Sequence, residues 1–303
     1  MHNDRSLVRG TEVRYEDLGS MAGWYPVALG ESTGTVWWRD MGAQRFVQPF
    51  FHDSLVAQPP GERRLCQTPL DALATVHDTV APTAFIFHVS RCGSTLLTQM
   101  LATLAQNIVM SEPPVLDAFF RLHHRSPRRS GGLATLRGLV AALGQRRSAQ
   151  ERHFFVKLDS WHTPWMALLR QAYPATPVVF MDRAPHEVLA SHRRHRGPQM
   201  VPGLMDLSAL QVSNAGLAPG DLDGYAARVL DAIRTAALAS MDAVQPIVVH
   251  YSDLPQAVWT GLLPALSVTY AQHDMDRLQA RAAYHSKHTL DVFTGDDQAN
   301  STS

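Results

Sequence analysis

A single segment, residues 85–97, constrains the fold of this chain more than any other. Its first residues, Phe85–Val89, form a short apolar run that predicts a buried strand. A polar turn follows, and from Ser94 the apolar residues recur at helical spacing, which predicts a helix to Gln106. A strand, a tight turn and a helix in this order direct backbone N–H groups and a helix N-terminus at one point. The segment therefore predicts a binding site for a phosphate group.

The turn, Ser90-Arg91-Cys92-Gly93-Ser94-Thr95, carries the side chains that such a site requires. Gly93 lets the backbone approach an anion, Ser94 and Thr95 supply hydroxyl donors, and Arg91 supplies a fixed cation. The lysine of the Walker A pattern is absent before Ser94. The loop is therefore predicted to hold a phosphate without help from a metal ion.

Short apolar runs alternate with helical patterns after residue 81. Strands are predicted at 85–89, 108–110, 154–158, 177–181 and 247–249, and helices at 94–106, 133–143, 186–195 and 225–243. This alternation predicts an α/β fold, a P-loop three-layer α/β/α domain with a central parallel sheet over residues 81–295. Residues 1–80 are predicted to form an N-terminal appendage with some β character, including a strand at 35–39 and an extended piece at 46–51. Residues 296–303 are predicted to be a disordered tail.

Composition narrows the classes of function. The 27 Lys and Arg residues balance the 27 Asp and Glu residues, which argues against non-specific binding to nucleic acid. Cys66 and Cys92 are too few for a disulfide framework, and the polar first residues do not form a signal peptide, so we expect a cytoplasmic protein. No apolar stretch reaches the ~20 residues of a membrane span. A small-molecule substrate is favoured, and assembly into a homo-oligomer stays open.

A second candidate anion site follows the strand predicted at 177–181. Arg183 comes directly after this strand, Pro185 suits the first turn of the next helix, and Ser191 lies about two turns further on. The two sites, about ninety residues apart, together resemble the paired motifs of sulfotransferases. Cys92 stands where the family's Arg-Ser-Gly-Ser/Thr-Thr loop has a serine. The resemblance covers the later three-quarters of the chain.

The resemblance implies a co-substrate and a set of binding residues. The co-substrate is 3′-phosphoadenosine 5′-phosphosulfate (PAPS), bound without a metal, and the reaction is transfer of its sulfuryl group to a hydroxyl or an amine of an acceptor that the sequence does not identify. Residues implied in holding PAPS are Arg91, Cys92, Gly93, Ser94 and Thr95 at the 5′-phosphosulfate and Arg183 and Ser191 at the 3′-phosphate. Lys287 resembles a late lysine that closes over the donor in some bacterial members, and a solvated surface lysine is its alternative interpretation.

Sulfuryl transfer requires a base for the acceptor proton and cations near the leaving phosphate. Glu112 is the first choice of base, because a similarly spaced glutamate has this role in the tyrosylprotein sulfotransferases that this part resembles. Burial is expected to raise its pKa, and a helix-capping carboxylate is the alternative. Lys157, inside an apolar run, is predicted to neutralise the bridging oxygen of the donor. Asp159 and His162 are alternative bases, and the choice between Glu112 and His162 stays open.

Two other functions stay open. A P-loop kinase or other phosphotransferase is disfavoured by the missing Walker lysine, and a non-catalytic nucleotide-binding protein is the other alternative. The close histidine pairs, such as His123 with His124 and His192 with His195, have no cysteine or carboxylate partners at ligand spacing. No metal site is predicted.

Overall fold

The computed structural model describes residues 6–284, which form two β-sheets with helices packed around them. The smaller sheet has four strands in the order β1-β4-β3-β2. Its strands are β1 (Thr11–Glu12), β2 (Trp24–Gly30), β3 (Thr35–Asp40) and β4 (Arg64–Pro69), and helix α1 (Phe51–Ala57) connects β3 to β4. The β character and the strand near residue 35 agree with expectation.

The extended piece predicted at 46–51 is wrong at its end, because Phe51 begins α1. The Asp53 carboxylate accepts a hydrogen bond from the Phe50 N–H at 3.2 Å, which holds the chain at the helix start. Apolar residues over so few positions do not distinguish a strand from a first helical turn.

The larger sheet confirms the predicted α/β class, because its five strands are all parallel and stand in the order β6-β7-β5-β8-β9. Its strands are β5 (Pro82–His88), β6 (Asn107–Ser111), β7 (His153–Lys157), β8 (Val178–Asp182) and β9 (Ile247–His250). The helices of this part are α2 (Ser94–Ala102), α3 (Pro114–Arg125), α4 (Gly132–Leu143), α5 (Met166–Ala172), α6 (Pro185–Arg194), α7 (Leu222–Leu238), α8 (Met241–Val244), α9 (Leu263–Ala265) and α10 (Gln272–Ala282).

Two helices are shorter than the spacing of their apolar residues predicts. Helix α2 ends at Ala102, where Asn107 and Arg45 donate hydrogen bonds at 2.9 Å to the carbonyls of Leu101 and Ala102. These side chains satisfy carbonyls that a further turn would have used. The helix predicted at 225–243 is divided into α7 and α8.

The register of the larger sheet aligns the carboxyl ends of its strands. His88 at the end of β5 is level with Met181 of β8, and Lys157 at the end of β7 pairs with Ser111 of β6. Residues that follow these strands therefore meet at one edge, where ligands of parallel sheets bind.

Three sequence expectations concern properties other than this architecture. Within residues 6–284 no helix is both long and apolar enough to cross a bilayer. Cys66 and Cys92 are buried free thiols. Lys287 and the predicted tail lie outside the described residues.

Candidate functional site

A cleft of about 650 Å³ lies at the carboxyl edge of the larger sheet. Predicted site residues that line it are Arg91, Cys92, Gly93, Ser94, Thr95, Glu112, Arg183 and Ser191. Lys157 does not line the cleft but contacts two residues that do, Glu112 and Thr95. The structure thus brings both candidate anion sites and the candidate base into one cavity, whose size suits a nucleotide-sized ligand.

The loop after β5 is held in a strained backbone conformation. Ser90, Arg91 and Gly93 have φ angles of 77°, 50° and 79°, in the left-handed region. A Cβ atom at Gly93 would lie 2.4 Å from the Leu254 side chain and 3.2 Å from that of Tyr251. Glycine is therefore required at this position both for its φ angle and for the close packing of residues 251–254 on the loop.

The Ser90 hydroxyl ties the loop to the segment after α6. Gln199 Nε2 donates to Ser90 Oγ at 3.2 Å, and His192 Nε2 lies 3.1 Å from the same oxygen. Because the Gly197 N–H donates to His192 Nδ1, the proton of this ring is assigned to Nε2, which donates to Ser90. With two hydrogen bonds accepted, the O–H of Ser90 is the group that it offers to a ligand.

Ser94 and Thr95 occupy the first turn of α2, whose leading N–H groups have no partner within the helix. A partial positive charge at this helix end favours an anion there. Cys92 is fully buried, and burial raises the pKa of its thiol to about 11. Cys92 is therefore an uncharged packing residue at neutral pH rather than a nucleophile.

Arg183 connects the second candidate anion site to the loop. Its Nη1 donates to the Arg91 carbonyl at 2.9 Å, its Nε donates to Glu187 at 3.2 Å, and its guanidinium lies 3.8 Å from the centre of the Tyr251 ring. These contacts fix the guanidinium plane, which is the geometry for bidentate binding of an anion. The Arg91 side chain donates a hydrogen bond to the His195 carbonyl at the end of α6.

Lys157 and Glu112 form an ion pair beside the loop. The Lys157 side chain is fully buried, and its Nζ lies 2.9 Å from Glu112 Oε1 and 3.3 Å from Thr95 Oγ1. A fifth of the Glu112 side chain is exposed in the cleft. Glu112 has a φ angle of 53° and its N–H donates to the Lys157 carbonyl at 2.8 Å, so the backbone also holds the two residues together.

The expected upward shift of the Glu112 pKa is wrong. Burial acts to raise this pKa, but the charge of Lys157, its contact with the carboxylate at 2.9 Å and the nearby His88 ring outweigh it and hold the pKa below its ordinary value. Glu112 is therefore a carboxylate at neutral pH, and its lowered pKa makes it a weaker base than an ordinary glutamate.

His88 is a neighbour of Glu112 that the sequence did not single out. Burial lowers the pKa of His88, whose Nε2 lies 3.4 Å from Glu112 Oε1. The Ser90 N–H donates to His88 Nδ1 at 3.0 Å, so the proton of the neutral ring is assigned to Nε2, on the side of Glu112. His88 thus connects the phosphate loop to the candidate base.

His162 and Asp159 lie deeper than Glu112. His162 is 1% exposed and outside the cleft lining; its Nδ1 accepts the Asp159 N–H at 3.2 Å, and its Nε2 lies 2.9 Å from Asp117 Oδ1. Burial and the charges of Glu112 and Asp117 raise the pKa of Asp159 well above its ordinary value. Of the three candidate bases, only Glu112 lines the cleft.

Asp117, Asp159 and His162 place possible metal-ligand atoms within 4.8 Å of one another, a grouping that their sequence spacing did not indicate. Asp117 already accepts hydrogen bonds from Trp161 at 2.8 Å and from Arg121 at 2.6 Å, in addition to His162. The observed contacts form a hydrogen-bonded network with paired charges.

Several cleft residues have no local signal in the sequence. Phe50 comes from the N-terminal part and Gln199 from the segment after α6. His88 could have been found from its place directly before the loop. The others reach the cleft only through tertiary packing.

Searches with the sequence find no match among protein-family models or among curated proteins. Among solved structures, the chain is similar to the sulfotransferase domain from the olefin synthase of Synechococcus PCC 7002, with 19% identity, a TM-score of 0.39, and coverage of 66% of this chain and 78% of that one. It is also similar to a sulfotransferase from Mycobacterium avium, with 11% identity, a TM-score of 0.43 and 69% of each chain covered.

A third similar structure is the sulfotransferase domain from the curacin biosynthetic pathway, with 17% identity, a TM-score of 0.43, and coverage of 71% of this chain and 84% of that one. These neighbours carry the family name that the two sequence motifs predict. With TM-scores below 0.5 they do not assign a function to this chain, and the case for function rests on the cleft.

Proposed function

We propose that this protein is a sulfotransferase that passes the sulfuryl group of PAPS to a hydroxyl or an amine of a small-molecule acceptor. The observation that supports the proposal is that the residues of two candidate anion sites line one cleft, with a carboxylate–lysine pair beside the first. A donor with phosphates at two positions requires two such sites. A nucleotide with a single phosphate group has no use for the second.

The first site would hold the 5′-phosphosulfate, which supplies an activated sulfuryl group. The N–H groups at the start of α2 and the hydroxyls of Ser94 and Thr95 are donors for its oxygens. Lys157, 3.3 Å from Thr95 Oγ1, is placed to neutralise charge that develops on the leaving phosphate oxygen. Electrostatic stabilisation of this kind needs no covalent contribution from the protein.

The second site would hold the 3′-phosphate. Arg183 is fixed by the Arg91 carbonyl and by Tyr251, and Ser191 lines the same cleft. An ordered arginine loses little side-chain entropy when it binds an anion, which favours affinity. This site would distinguish PAPS from ATP and AMP, which lack the 3′-phosphate.

Glu112 would take the proton of the acceptor. It is the candidate base that lines the cleft, and its carboxylate form is stabilised by Lys157. An anionic donor on the neighbouring loop would compete for the charge of Lys157 and so move the Glu112 pKa upward, toward that of a more effective base. Donor binding would thereby activate the base.

The donor assignment is tested by titrating the protein with adenosine 3′,5′-bisphosphate and with AMP in a calorimeter. We expect the bisphosphate to bind at least about tenfold more tightly, because one charge-assisted contact contributes roughly 1.5–3 kcal/mol. Equal affinities contradict the proposal. Hydrolysis of ATP that depends on Mg²⁺ would instead favour a phosphotransferase.

The base assignment is tested with Glu112→Gln in a transfer assay with labelled PAPS, after a screen of phenols, alcohols, sugars and peptides has found an acceptor. We expect transfer to fall by roughly 10²–10⁴-fold while affinity for the bisphosphate changes little. Glu62→Gln, which removes an exposed carboxylate of the N-terminal part, is the matched control. Unchanged transfer by Glu112→Gln rules out Glu112 as the base, and a protein that binds the bisphosphate without any transfer is a binder rather than an enzyme.

A further inference from the structure

Residues 44–50 of the N-terminal part contain no strand and lie along helix α2. Gln99 on α2 donates to the Val47 carbonyl at 3.1 Å, and Arg147 donates to the Gln44 carbonyl at 3.1 Å. Arg45 donates to the carbonyls of Ala102 and Leu104, both at 2.9 Å. The segment is therefore held to the part of the chain that carries the cleft through Gln44, Arg45 and Val47.

Aromatic packing fixes the position of Phe50 within this segment. Phe46 makes edge-to-face contacts at 4.9 Å with both Tyr25 and Phe51, and all three rings are buried. The Phe50 N–H donates to the Asp53 carboxylate at the start of α1. Phe46 and Phe51, which precede and follow Phe50 in the chain, are thus anchored, and Phe50 lines the cleft.

The Phe50 ring covers the ammonium group of Lys157. The distance from Lys157 Nζ to the ring centroid is 4.8 Å, within the range of a cation–π contact. Among the described residues, Phe50 is the member of the first eighty that lines the cleft. The Lys157 ammonium has the ring on one side, with Glu112 and Thr95 as its polar contacts.

We propose that Phe50 is a positioning residue of the transfer site: its ring excludes water from the Lys157 ammonium, so that the sulfuryl group passes to the acceptor and not to water. This inference rests on the proposed function. Through Phe50, the N-terminal part would then contribute directly to the transfer site. Exclusion of water also lowers the local dielectric, which strengthens the effect of the Lys157 charge.

The reaction that Phe50 suppresses is hydrolysis of the donor. A water oxygen would bond to the sulfur, the bond from sulfur to the bridging phosphate oxygen would break, and Glu112 would take a proton from the water. The products would be sulfate and adenosine 3′,5′-bisphosphate. No further reactant is required, so the reaction can be followed with PAPS alone.

The first test measures access to Lys157 and does not depend on activity. The chain contains only two lysines, Lys157 and Lys287, so reductive methylation with ¹³C-formaldehyde reports on Lys157 almost alone. In a Lys287→Arg background, we expect the peptide that contains Lys157 to be methylated at least about tenfold faster in Phe50→Ala than without that change, because a buried amine is protected. Phe50→Leu should retain most of the protection.

The control variant is Val47→Ala in the same segment. Val47 is 46% exposed and lies outside the cleft lining, so its truncation should change neither the methylation rate nor the hydrolysis of PAPS. Thermal unfolding of each variant shows whether Phe50→Ala has loosened the whole fold, in which case Phe50→Leu and a partial truncation, Phe50→Val, are compared instead. Equal methylation of Lys157 in the parent and in Phe50→Ala overturns the proposal.

The second test measures release of sulfate from PAPS without acceptor. We expect Phe50→Ala to release sulfate at least about tenfold faster than the parent at equal occupancy by PAPS. An equal or slower release, in a variant whose Lys157 has become accessible, overturns the role in excluding water. A parent protein that binds neither PAPS nor the bisphosphate refutes the proposed function instead, and the methylation comparison still decides whether Phe50 closes the site.

Discussion

The two ends of the cleft use different cations in different surroundings. At the reaction end, defined by Lys157, Glu112 and His88, a fully buried ammonium is paired with a carboxylate at 2.9 Å. At the anchor end, defined by Arg183, Ser191 and Tyr251, a guanidinium stacks on an aromatic ring and donates to a backbone carbonyl. The chain has twenty-five arginines and two lysines, so a lysine at the reaction end is a departure from its general usage.

The difference follows from the chemistry of the two side chains. A guanidinium presents a rigid fork of donors and suits an anion whose charge stays constant during a reaction. An ammonium is a compact charge on a flexible stem, so in the proposed function Lys157 would share its charge between Glu112 and the leaving oxygen. In that function the anchor end would hold the donor, and the reaction end would respond to the charge that moves during transfer.

The carboxyl groups at and near the reaction end differ in the direction in which their pKa values are shifted. At the reaction end the pKa of Glu112 is lowered and that of Asp159 is raised, although both are carboxyl groups of one network. Carboxyl groups whose pKa values are pushed apart are typical of acid–base sites and also occur in structural ion-pair networks. The following variants are chosen to separate the two ends, from the largest expected effect to the smallest.

Lys157→Met should remove the positive charge that, in the proposed function, stabilises the leaving oxygen. We expect transfer to fall by roughly 10²–10³-fold, as for the loss of one group that stabilises transition-state charge, while the affinity for adenosine 3′,5′-bisphosphate changes less than about threefold. Without Lys157, burial is left to raise the Glu112 pKa, so the acid limb of the rate–pH profile should move to higher pH. Steady-state rates across pH and calorimetry measure the two effects.

Lys157→Arg is the matched control, because it retains the charge but not the compact shape. An arginine variant with full activity would show that charge alone matters at this end and that the compact shape of the lysine has no part in the reaction. A methionine variant that keeps a third or more of the transfer rate would show that Lys157 has no part in the reaction.

Arg183→Lys should act on the anchor end alone. We expect the bisphosphate to bind roughly 10–100-fold more weakly, because the fork and its stacking on Tyr251 are lost, while AMP binding is nearly unchanged. Arg193→Ala, which removes a cation that is 62% exposed and outside the cleft lining, controls for a general loss of positive charge. Equal weakening of AMP and bisphosphate binding would mean that Arg183 supports the loop through the Arg91 carbonyl rather than the 3′-phosphate.

The anchor end was the easier of the two to predict from the sequence. Arg183 stands directly after a recognisable strand, Ser191 lies in the helix that follows, and the loop at Ser90–Thr95 joins a strand to a helix within one segment. Local patterns place such residues at the same sheet edge, because parallel strands share their carboxyl ends. For this reason the central sheet and the meeting of both candidate anion sites at one sheet edge could be predicted from the sequence.

The reaction end depends on contacts that local patterns do not contain. The sign of the Glu112 pKa shift is set by Lys157, forty-five positions later in the chain, and by His88, which precedes the loop. Phe50 reaches the same place from the N-terminal part. A sequence shows that a carboxylate will be buried, but not which charge will lie beside it, so the direction of the shift could not be foreseen.

Asp159→Asn should have the smallest effect and should appear in the pH dependence of stability. Burial first, and then the charges of Glu112 and Asp117, raise the Asp159 pKa in the folded state, whereas in the unfolded chain it is about 3.9. Between these two values the folded state binds the extra proton, so the free energy of unfolding falls as pH rises, by at most about 1.4 kcal/mol per pH unit. The asparagine variant cannot ionise and lacks this loss, so its stability relative to the parent should increase as pH rises from 5 toward 8.

Glu112 does not mask this signal, because its lowered pKa changes stability in a different pH range. Its stabilisation is complete above the unfolded value of about 4.3 and is lost only as pH falls through the lower folded pKa. His88, His123 and His153, whose pKa values burial lowers, also change stability in this range, but they do so in both proteins. The difference between the unfolding free energies of Asp159→Asn and the parent in urea at pH 5, 6, 7 and 8 therefore reports on Asp159, and Ser191→Ala at the anchor end should follow the parent at every pH. Parallel curves for Asp159→Asn and the parent would show that Asp159 is already ionised in the folded protein, and the proton-linked character assigned to the reaction end would then rest on Glu112 and His88 alone.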